Sequence, residues 1–108
     1  MRRGNLVTVA AKGDYGKPRP AVVVQSDWLS DTESVLVCLM THVLRDAPLF
    51  RLTVHPSADN GLREVTQIMA DKVMAVRRDK CGQVIGRLDE ETMAVLTRML
   101  GLIMGIAG

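Results

Sequence analysis

Aromatic side chains are scarce in this sequence. Tyr15, Trp28 and Phe50 are the only three in 108 residues. That is too few for a sheet surface that reads nucleic acid by stacking bases on two or three rings, so any such contact must use other groups. Cysteine is scarcer still. Cys38 lies in an apolar run and Cys81 in a polar turn, and neither has a second Cys or a His at metal-ligand spacing, which argues against a zinc site. HExxH, Walker, GxSxG and dinucleotide-binding patterns are all missing, so the common cofactor and activated-nucleophile chemistries lack sequence support, and no metal or cofactor is expected. The most apolar stretch, residues 93–107, is too short to span a bilayer and carries Thr97 and Arg98. Met1-Arg2-Arg3 runs into Gly4-Asn5 and not into an apolar signal core, so a cytoplasmic location with reduced thiols is the expectation. No Pro-rich or Ser/Gly-rich segment divides the chain, and one domain over residues 1–108 is expected.

Apolar residues make up 47% of the chain and charged residues 24%, enough burial to offset the entropy of ordering the backbone. The formal charge is only +2, but ten of the fourteen basic residues are Arg, the side chain whose planar fork suits phosphate. Residues 6–10 form a first β-rich run, and the Gly- and Pro-bearing segment 12–18 reads as a mobile loop. Residues 20–25 form a second, central strand with Pro20 at its start. Residues 35–40 form a third buried strand ending at Thr41-His42, and residues 50–55 alternate like a strand with one wet face. Asn60-Gly61 marks a turn. Residues 66–69 read as strand, 71–76 as turn plus strand, and 82–88 as a connector with a helical turn. Asp89 is placed to cap a helix with Glu90 and Glu91 in its first turn and a stripe of Met93, Leu96, Met99, Leu100 and Ile103 facing the sheet. Strands first and one amphipathic helix last imply an α+β fold, a small strongly curved antiparallel sheet or SH3-like barrel closed by a C-terminal helix.

The segment with chemical content is Gly16-Lys17-Pro18-Arg19-Pro20. Two prolines stiffen the backbone around Arg19 and hold its guanidinium at the mouth of a central strand, where it suits a phosphate. Running on into Ala21-Val22-Val23-Val24, the segment resembles the Gly-x-x-Arg-Pro-Ala/Val pattern of the MazF/PemK family of toxin-antitoxin ribonucleases. Arg3-Gly4-Asn5 resembles the family's opening, Leu39-Met40-Thr41-His42 its strand-ending segment, Ile68-Met69-Ala70-Asp71-Lys72-Val73 its Val-Leu-x-Asp-Gln segment, and residues 88–93 the start of its last helix. The chain departs from the family at Met69, where one branch has arginine, and at Lys72, where most members have glutamine.

The resemblance implies a homodimeric, metal-independent endoribonuclease toxin that cuts single-stranded RNA and is silenced by a cognate antitoxin protein. It places the catalytic positions on Arg19, Thr41 and Asp71, and makes Lys17, His42, Lys72 and Arg77 the candidates for RNA contact. In such a reaction the ribose 2′-OH attacks its neighbouring phosphate. Arg19 would stabilise the charged phosphorane and could supply a proton, Thr41 would donate to a phosphoryl oxygen, and Asp71 or His42 would be the base. Plainer roles stand beside each of these: Arg19 as a surface loop residue, Thr41 as a β-former, Asp71 as a turn cap, Arg77-Arg78 as a solvated turn, and Met93, Met99 and Met104 as core or dimer surface. A second resemblance is to the gyrase-poisoning CcdB type on the same fold, through Gln25-Ser26-Asp27 and Met104-Gly105-Ile106. That family ends in Trp-Gly-Ile, which this chain lacks.

Overall fold

The computed structural model describes residues 1–10 and 17–107. Most of the loop expected over residues 12–18, with Tyr15 and Gly16, therefore lies outside the described residues. The elements run β1 (Asn5–Val9), β2 (Arg19–Val23), β3 (Ser34–Thr41), β4 (Arg51–Val54), β5 (Thr66–Arg77), a 3-10 turn (Arg78–Lys80), β6 (Cys81–Arg87) and α1 (Glu90–Ile103). The strands form one antiparallel sheet in the order β4-β5-β3-β2-β1-β6. The sheet curls without closing, and α1 covers one face.

The continuous apolar runs of β1, β2 and β3 follow from burial on both faces. Leu6, Val22, Cys38, Met40 and Ile68 pack with Leu96 and Leu100 of α1, while Val7, Val9, Ala21, Val23, Val35 and Val37 form a second cluster on the other side. β4 is an edge strand with its wet face outward, as its alternation predicts. Thr41 closes β3, and the β3 and β4 bounds fall within a residue of the sequence expectation at each end.

Two expectations are corrected. Residues 66–77 are a single strand, not a strand, a turn and a second strand. The turn-like signal is instead a bulge. β3 pairs Cys38 with Val73 and Met40 with Ile68, so four residues of β5, Met69 to Lys72, stand opposite Leu39 alone. Residues 82–88, expected as a connector with a helical turn, are mostly the edge strand β6. A Cβ on Gly82 would collide with the Thr8 hydroxyl, and one on Gly86 with the backbone of Asp59 and Asn60. Both glycines thus mark close approach inside a strand and not a loop.

The helix begins where expected, with Asp89 Oδ1 accepting from the Thr92 N–H at 2.6 Å. It ends in a Schellman arrangement: Gly105 takes φ +74°, Ile106 N–H donates to Gly101 C=O, and Gly105 N–H to Leu102 C=O. The apolar stripe stops one turn earlier than its periodicity predicts. Leu96 and Leu100 are buried and Met93 and Met99 pack on the core, but Ile103 is exposed along with Leu102 and Met104. Arg3 ties the helix to the sheet, donating to Val24 C=O and to Thr97 Oγ1.

Candidate active site

At one end of the curled sheet the ends of β1, β2, β3 and β5 meet the loop that precedes β5. Together they enclose an open groove of about 1000 Å³ lined by Thr8, residues 17–20, Met40, Thr41, His42, residues 61–64, Thr66 and Ile85. The β2–β3 register sets Arg19 and Thr41 in this groove. Ala21 pairs with Leu39, and Arg19 and Thr41 each lie two residues beyond that pair, at the same end of their two strands. Pro18 and Pro20 restrict the backbone on both sides of Arg19.

The Thr41 side chain is buried, and its Oγ1 accepts from the Val43 N–H at 3.1 Å. Among the described residues it donates to none, which leaves its hydroxyl proton for an external acceptor. Next along the chain, His42 Nδ1 lies 3.6 Å from Glu64 Oε1, with both side chains about two-thirds exposed. Among the described lining residues, Lys17, Arg19 and Arg63 supply three cations beside the carboxylate of Glu64, a balance that favours an anion.

The segment that follows Thr41 is pinned by one buried amide. Gln67 Oε1 accepts from Arg45 N–H at 3.0 Å and from Arg51 Nη1 at 3.1 Å, while its Nε2 donates to Arg45 C=O at 3.0 Å and to Thr53 Oγ1 at 3.1 Å. Arg51 Nη1 also donates to Val43 C=O at 3.1 Å. The opposite wall is held by Asn60, buried in its turn. Its Oδ1 accepts from Ser57 and Leu62 N–H groups, and its Nδ2 donates to His55 C=O. Gly61 follows at φ +69°, a left-handed conformation that suits glycine.

Of the residues singled out in the sequence, Lys17, Arg19, Thr41 and His42 share this groove, and Asp71, Lys72 and Arg77 do not line it. Asp71 and Lys72 are exposed in the β5 bulge. Arg77 pairs with Asp79 at 2.8 Å, opposite Ser34 at the far end of β3. That is seven residues from Thr41, or roughly 23 Å along an extended strand. Arg63, Glu64 and Gln67 were not singled out. Arg63 and Glu64 follow a plain turn, and their only signal is a loop position feeding a central strand, the same setting that drew attention to Arg19. Burial of Gln67 carries no composition cue at all.

Among the described residues, no three His, Cys, Asp or Glu side chains are grouped so as to hold a metal ion, and no helix is long and apolar enough to cross a membrane.

The sequence matches the family of PemK-like, MazF-like toxins of type II toxin-antitoxin systems over residues 2–104. It is 43% identical to the probable endoribonuclease MazF of Mycolicibacterium smegmatis over 109 residues, covering 100% of both chains. In fold it is similar to an endoribonuclease solved in complex with its cognate antitoxin from a mycobacterial species, with a TM-score of 0.83 at 20% identity over 100% of this chain and 98% of the other. It also resembles the Mycobacterium tuberculosis toxin MazF-mt6, with a TM-score of 0.81 at 18% identity over 96% and 99% of the two chains. MazF in the MazE-MazF complex of Deinococcus radiodurans gives 0.76 at 21% identity over 99% and 98%. Of the two resemblances drawn from the sequence, the ribonuclease side is the one matched over nearly the whole length, and the chain belongs to the PemK-like, MazF-like toxins of type II toxin-antitoxin systems.

Proposed function

We propose that this chain is a metal-independent endoribonuclease that cleaves single-stranded RNA in the groove between β2, β3 and the loop before β5. The observation that carries this reading is that Arg19 and Thr41 line one cationic groove. The scissile phosphate sits between them. Arg19 offers a fixed fork of donors to the phosphoryl oxygens, and the Thr41 hydroxyl, its oxygen already engaged by Val43 N–H, donates a further hydrogen bond. Charge accumulates on those oxygens as the 2′-oxygen attacks, so both contacts strengthen toward the phosphorane. A guanidinium does not give up its proton near neutral pH, so Arg19 acts by charge and hydrogen bonding, and the departing 5′-oxygen is protonated by water in the open groove. The products are a 2′,3′-cyclic phosphate and a 5′-hydroxyl. DNA, lacking the 2′-OH, is not cut. The working unit is a homodimer in the cytoplasm, and a cognate antitoxin silences it by laying an extended segment across the groove.

Incubation of purified protein with single-stranded RNA in EDTA, beside Arg19→Ala, tests the reading. Cleavage should persist in chelator and fall at least about 10²-fold in the variant, the usual cost of deleting an oxyanion donor. RNA left intact by the unmodified protein, above all together with inhibition of DNA gyrase, would overturn it.

A further inference from the structure

The reaction needs a group to take the proton of the 2′-OH, and the groove narrows the choice. Lys17, Arg19 and Arg63 are cations and Thr41 is a hydroxyl donor, so among the described lining residues only His42 and Glu64 can accept a proton. Asp71, the other candidate from the sequence, does not line the groove. Either a carboxylate or an imidazole can act as a general base, but transfer is best matched where the base's affinity for the proton lies near the working pH, which in general favours an imidazole at neutrality.

We infer that His42 is the general base for the 2′-OH, oriented by Glu64 across the groove wall. The inference rests on the nuclease reading above. Glu64 Oε1 faces Nδ1 of His42 at 3.6 Å, beyond hydrogen-bond length but within ion-pair range, a gap of a few tenths of an ångström of the kind that tightens when substrate fills a site. A carboxylate is an acceptor only, so it holds the proton on Nδ1 and leaves the Nε2 lone pair to face the RNA. The backbone that carries His42 is fixed on both sides. Thr41 Oγ1 holds Val43 N–H, Arg51 holds Val43 C=O, and Gln67 holds both polar groups of Arg45.

In the step itself His42 Nε2 removes the 2′-OH proton as the 2′-oxygen bonds to phosphorus. The P–O5′ bond breaks, the 5′-oxygen takes a proton from water, and the imidazolium returns its proton to the hydroxide so formed. Atoms and charge balance with no net consumption of water. His42 is thereby the catalytic residue and Glu64 the positioning residue.

The test is single-turnover cleavage of a long unstructured RNA in EDTA from pH 5 to 9, comparing unmodified protein with His42→Asn and Glu64→Gln. A 2′-O-methyl RNA, which cannot react, reports binding by all three. Unmodified protein should gain rate with pH along one acidic limb. His42→Asn should lose about 10²-fold or more of the rate, together with the limb, a loss larger than any it shows in binding 2′-O-methyl RNA. Glu64→Gln should lose less rate than His42→Asn, and should lose it in the cleavage step rather than in binding of 2′-O-methyl RNA. A His42→Asn protein that cuts at the normal rate with the limb intact overturns the base assignment and leaves the nuclease reading standing. A Glu64→Gln protein that cuts at the normal rate overturns the role of Glu64, and stands as a test even where His42→Asn fails to fold. Failure of the unmodified protein to cut RNA overturns both readings together.

Discussion

Gln67 is the residue whose loss should show most directly how the fold supports the groove. Replacing it with alanine deletes four hydrogen bonds of 3.0 to 3.1 Å, two to the backbone of Arg45, one to Thr53 and one from Arg51. Each such bond is worth about 0.5–1.5 kcal/mol net. Arg45 sits in an exposed loop and can turn to water, so the lower half of the range applies to its two groups. The full range applies to the bonds with Thr53 and with Arg51 Nη1, which are partly buried. The sum is a loss of about 2–5 kcal/mol. At about 4–8 °C per kcal/mol for a domain of this size, thermal unfolding followed by circular dichroism should move down by roughly 8–40 °C. Thr53→Val, which removes a single partner, should cost about 1 kcal/mol, and the double variant should cost less than the two singles added. Below the unfolding range, Gln67→Ala should cleave RNA more slowly, because the segment carrying His42 keeps only its Val43 contacts with Thr41 and Arg51. A midpoint within about 3 °C of the unmodified protein would refute the reasoning, since that corresponds to less than one hydrogen bond.

Gly86→Ala should push the Ser57–Asn60 turn away, because its Cβ would overlap backbone atoms of Asp59 and Asn60 and not a side chain that can swing aside. The expected cost is about 1–3 kcal/mol by chemical denaturation, with a loss of cleavage beyond what unfolding explains, since residues 61–64 form the groove wall. Burial pushes the Cys38 thiol up to about 11, so the unfolded chain ionises it first as pH rises. Stability should therefore be full below about pH 9 and fall as pH climbs toward 11, and Cys38→Ala should flatten that alkaline decline in urea titrations. Hydrogen bonds from Thr92 hold the Asp89 carboxyl below its ordinary range, so its contribution is present above the unfolded value and is lost as pH falls through the folded one. Asp89→Asn, which still caps a helix, should keep neutral-pH stability and weaken the acid dependence of the thermal midpoint; an unchanged acid limb would refute the assignment.

The difference between what was legible in the sequence and what was not follows from how many neighbours fix each position. β1, β2, β3 and the capped helix were readable because one local rule determines each. β-branched runs buried on both faces make strands, and Asp89 ahead of Glu90 and Glu91 starts a helix. β6 was not readable because its two glycines serve contacts distant in sequence, with Thr8 and with the Asp59–Asn60 backbone, and locally such glycines look like loop. The β5 bulge was half legible: a turn signal at Asp71 was real, but only pairing with β3 turns it into four residues opposite one. The same division runs through the site. Arg19 carries its proline-stiffened setting in its own neighbours, and Thr41 its place at the end of an apolar run. Glu64 and Gln67 gain meaning only once the sheet curls and brings the strand ends together. Half of the groove is thus written in short segments that the chain presents wherever it folds, and half is made by topology. Variation that retunes which RNA is bound should accordingly collect on the topological half, at the exposed loop residue Arg63, while exchanges at Arg19 or Thr41 should abolish cleavage without altering the sheet.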